Sequence, residues 1–573
     1  MGWKCVVEPA HMWWLDTLVQ ISLFRMLHEK DNPNILENVD GSVNKHQMSR
    51  SKFFLIAFFC SFLWYLFPGY LFQTLRNISW VCWVFPHSVT AHQIGSGRQG
   101  LGVGALTLDW SVVAFLSSPL ISPFFVIANV FLGYFVANYI VIPISYWVLN
   151  VYNAKTFPIY SMDFFTANGK KYNISAVVDH KLELDIEQYR KQGEIHLSLV
   201  FSLAFGFGFA TLASTVTQVA LFYGREIYEC YWASSKAKKD LHTKLMKSYK
   251  DVPSWWFYVL LVVTMLVSVF LCIFLEKEIQ MPFWAFLLAA ALAFSFTLPI
   301  SIITATTNRT PGLNVITQYI MGVIYPGRPI ANVCFKVYGY VSMTQAIAFL
   351  SDFKLGHYMK IPPRSIFLVQ LLGTMITSTV NMIVAWWLLH LDGMCNPDKL
   401  SNSPWTCPVD HIFFDASVIW GLIGSKRIFG KESNYSELNW FFLAGLLGPV
   451  VVWGCHKAFP KYSWIPLIKL PVILGAAAQM ARVSALNYNS WILVGTTFNF
   501  FVFKYRKKWW QRYNYILSAA LDAGVAFMVV FLYFTLGIEN KTISWWGNNN
   551  PEHCDLALCP IAKGVTVDGC PVF

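Results

Sequence analysis

Three aspartates lie in or beside apolar stretches of this sequence, where a charged side chain is costly and therefore informative. They are Asp109, Asp415 and Asp522. Acids at membrane depth are candidates for ion or proton pathways, because burial brings a carboxyl group into the range where it can bind and release a proton. We predict proton coupling by one of them, with Asp109 first, since it follows a glycine-rich break and precedes Trp110. The alternative is that each caps a helix or pairs with a cation.

A basic, proline-containing tract spans residues 352–364 between two apolar regions. Such a polar break predicts a loop at a membrane face. One interpretation is a cytoplasmic gate, because histidine titrates near neutrality. The other is anchoring of the topology by positive charge, with the two prolines beginning the next helix. The residues concerned are His357, Lys360, Pro362, Pro363 and Arg364, and anchoring is favoured for the lysine.

The composition places these residues in a membrane protein. Of 573 residues, 55% are hydrophobic and 13% are charged, whereas soluble proteins have about 25% charged residues. A transmembrane helix needs about 20 largely apolar residues. The clearest such segments are 53–72, 123–149, 197–222, 255–274, 282–304, 365–390, 440–455 and 515–537. The sequence therefore predicts an all-α polytopic integral membrane protein, a multi-helix bundle forming one membrane domain over residues 1–573.

Other apolar regions are interrupted by glycine, proline and polar residues. Broken or re-entrant helices are tolerated at membrane depth where they are buried or line a cavity, and in transporters they mark binding sites. The glycines of residues 95–100 fit a dinucleotide-binding pattern, but no strand precedes them, so we assign them to close packing. The interrupted regions are 6–27, 80–121, 311–350, 412–424 and 466–503.

The charge pattern predicts orientation. The net charge of +12 does not indicate nucleic-acid binding, because the cations cluster in short loops between apolar segments. The basic loops 224–251 and 504–512 and the 352–364 tract are predicted to be cytoplasmic. This places the polar loop 151–196, the loop 391–411 and the tail 538–573 outside. Asp522, which follows Arg512, is expected near the cytoplasmic face.

Nine of the twelve cysteines fall into two groups. Isolated cysteines in apolar stretches are expected to be inert core residues; these are Cys60, Cys272, Cys334 and Cys455. Five others lie in polar regions assigned to the outside and suit disulfides. A metal site is disfavoured, because the spacings match no zinc motif. These five are Cys395, Cys407, Cys554, Cys559 and Cys570.

Several longer motifs carry a family resemblance. They include Val7-Glu8-Pro9-Ala10-His11-Met12-Trp13-Trp14, Thr310-Pro311-Gly312-Leu313-Asn314, Lys360-Ile361-Pro362-Pro363-Arg364 and Gln511-Arg512-Tyr513-Asn514-Tyr515. Over nearly its whole length the chain resembles the oligopeptide transporter family, in the plant-type branch that carries small peptides. The resemblance implies proton-coupled uptake of tetra- or pentapeptides or glutathione-like peptides. The alternative is transport of metal–nicotianamine or other metal–peptide chelates. It also implies a helical bundle with internal repeats, no cofactor, and the plasma membrane as location.

Two departures from the family stand out. The N-terminal region and first spans are expected to be missing, and Leu15-Asp16 replaces an expected Pro-Ala. Met480-Ala481-Arg482-Val483 replaces a Met-Pro-Pro-Ala type stretch, which predicts a straightened helix. Arg482 would be a cation at membrane depth, costly unless paired or hydrated. A truncated, non-transporting protein is therefore a further possibility.

The region 311–345 offers the groups that peptide binding requires. Amides need hydrogen-bond donors and acceptors, and a cation such as Lys336 could attract the terminal carboxylate while an aspartate holds the amine. Polar links between helices explain the same residues equally well. The candidates are Asn314, Gln318, Tyr325, Lys336, Tyr338 and Gln345.

A membrane enzyme, such as an acyltransferase or protease, is the competing class. The sequence has no His-Glu-x-x-His, Gly-x-Ser-x-Gly or Walker motif. We therefore predict that the chain is not an enzyme, and that its partners are a small peptide, protons and the lipid bilayer.

Overall fold

The computed structural model describes residues 3–28, 48–179, 182–232, 241–246, 248–391, 413, 416–431, 433–539, 541–550 and 552–572. Three residues named above, Asp415, Cys395 and Cys407, lie outside the described residues.

Nearly all regular secondary structure in the described chain is helical. Its first helices are α1 Leu15–His28, α2 Arg50–Leu66, α3 Trp80–Val84, α4 Val89–Gly95, α5 Trp110–Val113, α6 Phe124–Val136, α7 Ile186–Gln192 and α8 Leu199–Trp232. There follow α9 Leu241–Met246, α10 Ser254–Phe274, α11 Glu276–Ile279, α12 Phe283–Thr307, α13 Asn314–Ile324, α14 Pro329–Lys336, α15 Ser342–Met359 and α16 Pro363–Leu389. The last are α17 Ser425–Phe429, α18 Trp440–Ala458, α19 Leu470–Ala478, α20 Ala485–Thr496, α21 Phe503–Tyr505, α22 Lys507–Leu532 and α23 Trp546–Asn549.

Several helices continue through a wider, π-helical turn. Such turns occupy Phe67–Leu71, Ala137–Val141, Ile144–Val148, Val337–Val341, Thr497–Val502 and Tyr533–Gly537. With them, nine helices of the described part are long and apolar enough to cross a membrane. All eight segments expected from hydropathy are among them. The ninth, Pro329–Met359, lies in a region predicted to be broken. The all-α polytopic membrane fold is confirmed.

The polar segment 151–196 is a small folded cap. Strand β1, Phe164–Phe165, pairs antiparallel with β2, His196–Leu197, with Phe164 opposite Leu197. Helix α7 lies between them in sequence, and its N-terminus is capped by the Asp185 side chain, which accepts hydrogen bonds from the amides of residues 187 and 188. The cap is thus an ordered element covering one end of the bundle.

Residues 80–121 form a broken segment with short helices. Gly102 and Gly104 have positive φ angles of 65° and 74°. A Cβ at Gly102 would lie 2.5 Å from the Cβ of Ala485, and one at Gly104 would lie 2.3 Å from the indole nitrogen of Trp80. Here glycine is required both for backbone conformation and for close approach, as the sequence predicted.

The segment 466–503 is also broken, so the expected straightening at residues 480–483 is wrong. Helix α19 ends at Ala478, a 3-10 turn follows over Gln479–Ala481, and α20 begins at Ala485. Ser484 and Asn487 form a capping box that satisfies the start of α20. Local capping therefore maintains the break without proline.

The 352–364 tract is mostly helix, which corrects the loop prediction. Helix α15 continues to Met359, and the break covers only residues 360–362, where Lys360 is left-handed. The physical reason is that two polar side chains of the tract, Lys354 and His357, are buried. The fully buried Lys354 ammonium donates to the carbonyl oxygens of Val7 at 2.6 Å and Pro9 at 3.0 Å.

The structure brings polar segments together at two ends of the bundle. At one end, which we call the tail face, the amides of Ile561 and Ala562 donate to the Lys155 carbonyl, joining the C-terminal tail to the cap. At the other, the basic face, Arg364 Nε donates to the Asp251 carbonyl at 3.0 Å. Residues of the predicted loop 224–251 are partly helical, since α8 continues to Trp232.

Candidate functional site

A cavity of about 260 Å³ lies inside the bundle. Its wall is built where helices end or break: the 309–314 connection between α12 and α13, the 416–420 stretch, and the break between α19 and α20. Helix α8 supplies the opposite wall, including Gly208, which leaves space because no side chain fills it. The wall is apolar apart from a few convergent polar groups, as expected of a small-molecule site. Those groups are Thr211, Arg309, Thr310, Asn314, Gln318, Lys336, Tyr340, Gln479, Arg482 and Tyr488.

A second cavity of about 280 Å³ adjoins the first. The two share Met162, Phe201, Ala481 and Arg482 in their walls. The second cavity is also lined by Leu558 of the C-terminal tail and by residues 160–163 of the cap. It therefore connects the central cavity with the tail face, and Arg482 stands at the junction.

Half of the predicted binding residues meet in this cavity. Asn314, Gln318 and Lys336 line it. Tyr325 follows the end of α13 and packs beside an apolar cluster around Met281, and Gln345 is exposed elsewhere. Neither belongs to the cavity wall.

Tyr338 also faces away, with its ring 4.8 Å from that of Phe286 in an edge-to-face contact. Tyr340 lines the cavity instead. Helical spacing could have found it, because residues four apart share a helix face, and Lys336 and Tyr340 are four apart.

Arg309 is another cavity residue that the sequence did not reveal. Its guanidinium lies over the Trp491 ring, 4.4 Å from the ring centre, and one terminal nitrogen donates to the Leu116 carbonyl at 2.6 Å. Its Nε and its other terminal nitrogen are buried without a hydrogen-bond partner in the described structure. Leaving a buried donor unpaired costs about 1–3 kcal/mol, and more for a charged group. A bound anion would satisfy these donors.

Three cations therefore line the central cavity: Arg309, Lys336 and Arg482. The Lys336 ammonium lies 5.1 Å from the Phe413 ring centre, and its charge interacts with that of Arg482. Among the described lining residues there is no aspartate or glutamate. Within the described chain, none of the three cations has a carboxylate within salt-bridge distance. The cavity is electropositive.

An acid does lie just behind the cavity wall. The Asn308 amide nitrogen donates to Asp16 Oδ1 at 2.8 Å, and the Asp16 and Arg309 charges interact. In the sequence alone, Asp16 is recognisable only as a departure from the family pattern. Its position shows that the departure adds a carboxylate next to the cavity.

Asp109 is fully buried and has structural partners. Its side chain accepts hydrogen bonds from the Ser111 amide and hydroxyl, both at 2.8 Å, capping α5. Its other oxygen lies 3.4 Å from Arg76 Nε. A helix cap and a pairing with a cation are the two roles that the alternative to proton coupling predicted. Asp109 does not line either cavity.

Asp522 lies midway along the span Lys507–Gly537, not near one face as expected. The reason is that α22 begins within the basic cluster itself, so ten residues beyond Arg512 reach the membrane centre. Its Oδ1 accepts a hydrogen bond of 2.6 Å from the Trp110 indole. Its charge also interacts with that of Asp16.

The tail face carries two disulfides in the described chain. Cys82 is bonded to Cys554, and Cys559 to Cys570. Cys82 was not singled out because it lies within an apolar stretch. Of the cysteines expected in the core, Cys272 is buried, whereas Cys60 and Cys455 are exposed on the helix surfaces. That expectation was wrong for these two, because apolar stretches in this fold also face outward.

The basic tract packs tightly at the basic face. The Lys360 ammonium donates to the His357 carbonyl at 3.2 Å, and Pro363 stands at the first position of α16. His357 is buried. None of these residues, nor Arg364, lines either cavity.

Comparison with known proteins decides the family. The family model described as "OPT oligopeptide transporter protein" matches residues 3–536. The chain belongs to this family. The whole chain is 64% identical to Oligopeptide transporter 4 of Arabidopsis thaliana and covers 78% of it. It is 60% identical to Oligopeptide transporter 2 and 52% identical to Oligopeptide transporter 7 of the same organism, covering 77% and 74% of them.

The family motifs can now be located relative to the cavity. The family motif Thr310-Pro311-Gly312-Leu313-Asn314 contributes four of its five residues to the cavity wall. The other specific motif, around Pro362-Pro363, forms the sharp turn between α15 and α16. The motifs that carried the resemblance therefore have different positions: one lines the central cavity, and the other lies outside both cavities.

Proposed function

We propose that this chain transports short peptides across the plasma membrane and couples their entry to protons. The observation that carries the proposal is the cavity inside the bundle, built from broken helices and lined by convergent polar groups. Broken helices around a central cavity are the usual architecture of substrate sites in secondary transporters. No catalytic role is assigned to any residue.

In this proposal the cavity holds the peptide in an extended conformation. Lys336 attracts the terminal carboxylate, and Asn314 and Gln318 exchange hydrogen bonds with peptide amides. The Asn314 side-chain oxygen is buried without a partner in the described structure, so it is available to accept a peptide N–H. The apolar wall, including Phe201, Phe205 and Trp420, accommodates side chains without strict selection.

The proton would move beside the cavity rather than through it. Asp522 contacts Trp110 and interacts with Asp16, which in turn holds Asn308 next to Arg309. A change in the charge of Asp522 would therefore act on Arg309, in the cavity wall, through Asp16 and Asn308. Asp109 is assigned to structure, because its capping bonds and its ion pair with Arg76 hold the carboxylate in place.

The test is uptake of a labelled neutral tetrapeptide by cells that express the chain, in acidic and in neutral medium. We expect faster uptake in acidic medium, and a raised KM in Lys336→Gln. Lys461→Gln removes one exposed lysine charge away from the cavity and serves as the control. Absence of uptake at both pH values, with the protein shown to be at the cell surface, would contradict the proposal and favour the non-transporting alternative.

A further inference from the structure

We infer that the cavity selects acidic peptides, those carrying a side-chain carboxylate in addition to the terminal one, and that Arg482 determines this selectivity. The inference rests on the proposed peptide transport. Three observations lead to it: the excess of cations, the unpaired donors of Arg309, and the position of Arg482.

The first observation is the charge of the wall. Arg309, Lys336 and Arg482 all line the central cavity, whereas its described lining contains no carboxylate. A neutral peptide brings one carboxylate and one ammonium group, which leaves at least two cations without a counter-charge. A peptide with a second carboxylate compensates the cavity charge more completely. Like-charge contact with a basic peptide would be unfavourable.

The second observation identifies a carboxylate position. Arg309 keeps two buried nitrogens without hydrogen-bond partners in the described chain, and a guanidinium can bind a carboxylate through two parallel hydrogen bonds. Its Trp491 contact fixes the guanidinium plane. Helix α13 begins five residues later, and its first residue, Asn314, also lines the cavity. The unpaired backbone N–H groups at that helix start favour negative charge in the same place.

The third observation separates the two carboxylates. Arg482 belongs to both cavity walls, whereas Arg309 belongs only to the central one. The terminal carboxylate, attracted by Lys336 and Arg309, can therefore bind deep in the central cavity, while the side-chain carboxylate binds at the junction, at Arg482. The Lys336 and Arg482 charges interact, so a carboxylate at Arg482 also relieves their repulsion. Arg482 thus acts on specificity rather than on transport itself.

The experiment compares three tetrapeptides, identical except for Glu, Gln or Lys at one internal position, as competitors of labelled neutral-peptide uptake. The Glu peptide should compete better than its isosteric Gln counterpart by roughly tenfold, the equivalent of one hydrogen bond to a charged group. The Lys peptide should compete worst. Arg482→Gln should reduce the Glu-over-Gln ratio towards one while uptake of the neutral peptide continues. Arg482→Lys should preserve the ratio.

The matched control is Arg190→Gln, the same chemical change on the exposed cap helix α7, which should leave the ratio unchanged. Equal competition by Glu and Gln peptides on the unmodified chain would overturn the inference while leaving peptide transport standing. Absence of uptake of every peptide would instead contradict the proposed function. If Arg482→Gln does not reach the membrane, the comparison of competitors on the unmodified chain still tests whether the cavity selects acidic peptides.

Discussion

The Trp110 indole donates a hydrogen bond of 2.6 Å to Asp522 in the middle of the longest C-terminal span. Trp110 follows Asp109, so one short helix, α5, connects two acids, the buried Asp109 and the exposed Asp522, through neighbouring residues. The two acids differ in their surroundings. Asp109 has an arginine partner and two capping bonds, whereas Asp522 has a single neutral donor. We therefore assign them different roles.

Replacement of Asp109 should affect stability more than coupling. Asp109→Ala removes the cap of α5 and should lower stability by about 1 kcal/mol, the usual effect of losing an N-cap side chain. Asp109→Asn retains a capping oxygen and should be less destabilised. Thermal denaturation of the purified protein measures the difference, and uptake by Asp109→Asn should still depend on the proton gradient. Loss of that dependence in a stable Asp109→Asn protein would show that proton coupling depends on Asp109.

The cap should loosen in acid. Burial lowers the pKa of His196 below its ordinary value of 6.5, opposed by nearby Glu194. The unfolded cap therefore binds a proton more readily than the folded one. The stability that His196 contributes is fully present above about pH 6.5 and is lost as the pH falls through the lowered pKa.

Hydrogen exchange of the β1–β2 pair measures this effect. Because Phe164 lines the central cavity and pairs with Leu197, faster exchange in acid would report on a wall of the site. His196→Phe retains a ring against Phe157, whose ring centre is 5.5 Å away, and should make exchange independent of this titration. Unchanged pH dependence in that variant would assign the effect to another group.

Gly133 is expected to be indispensable for packing of the cavity wall. A Cβ at Gly133 would lie 2.0 Å from the Ile473 carbonyl oxygen in α19. Gly133→Ala must separate α6 from α19 and should destabilise the protein by about 1–3 kcal/mol, as overpacking does. Gly373→Ala is the control, since no atom lies within 4 Å of a Cβ there. Equal melting temperatures for the two variants would show that α19 can shift without cost.

The disulfide from Cys82 to Cys554 should stabilise the fold more than the one from Cys559 to Cys570. The first closes a sequence separation of 472 residues and the second one of 11. Longer loops lose more entropy on closure in the unfolded chain. Cys82→Ser should therefore lower the melting temperature more than Cys570→Ser. The reverse order would show that the tail is held mainly by its hydrogen bonds, such as that from the Gln93 amide to the Cys559 carbonyl at 2.8 Å.

The spans and their breaks could be predicted from the sequence, whereas the full set of residues that line the cavity could not. Long apolar runs predict membrane helices because the bilayer sets their length, and this identified eight of the nine described spans. Arg309 could not be recognised, because its role depends on Trp491 and Leu116, more than 180 residues away in each direction. Whether Tyr338 or Tyr340 lines the cavity depends on which face of their helix is turned inward.

Short-range rules also misjudged two segments. The absence of prolines at residues 480–483 suggested a straight helix, yet Ser484 and Asn487 cap a new one. The charges of the 352–364 tract suggested a loop, yet Lys354 is buried against two backbone carbonyls. In both cases a hydrogen bond to a specific partner outweighed the average preference of the residues.

The most direct test of proton-coupled transport is peptide uptake by proteoliposomes that contain the purified chain, with an inward proton gradient imposed or absent. We expect the peptide to accumulate only with the gradient. We also expect that Asp522→Asn, which keeps a side-chain oxygen for the Trp110 indole, loses accumulation but still exchanges labelled for unlabelled peptide at equal concentrations. Gradient-driven accumulation by Asp522→Asn equal to that of the unmodified chain would contradict proton coupling through Asp522.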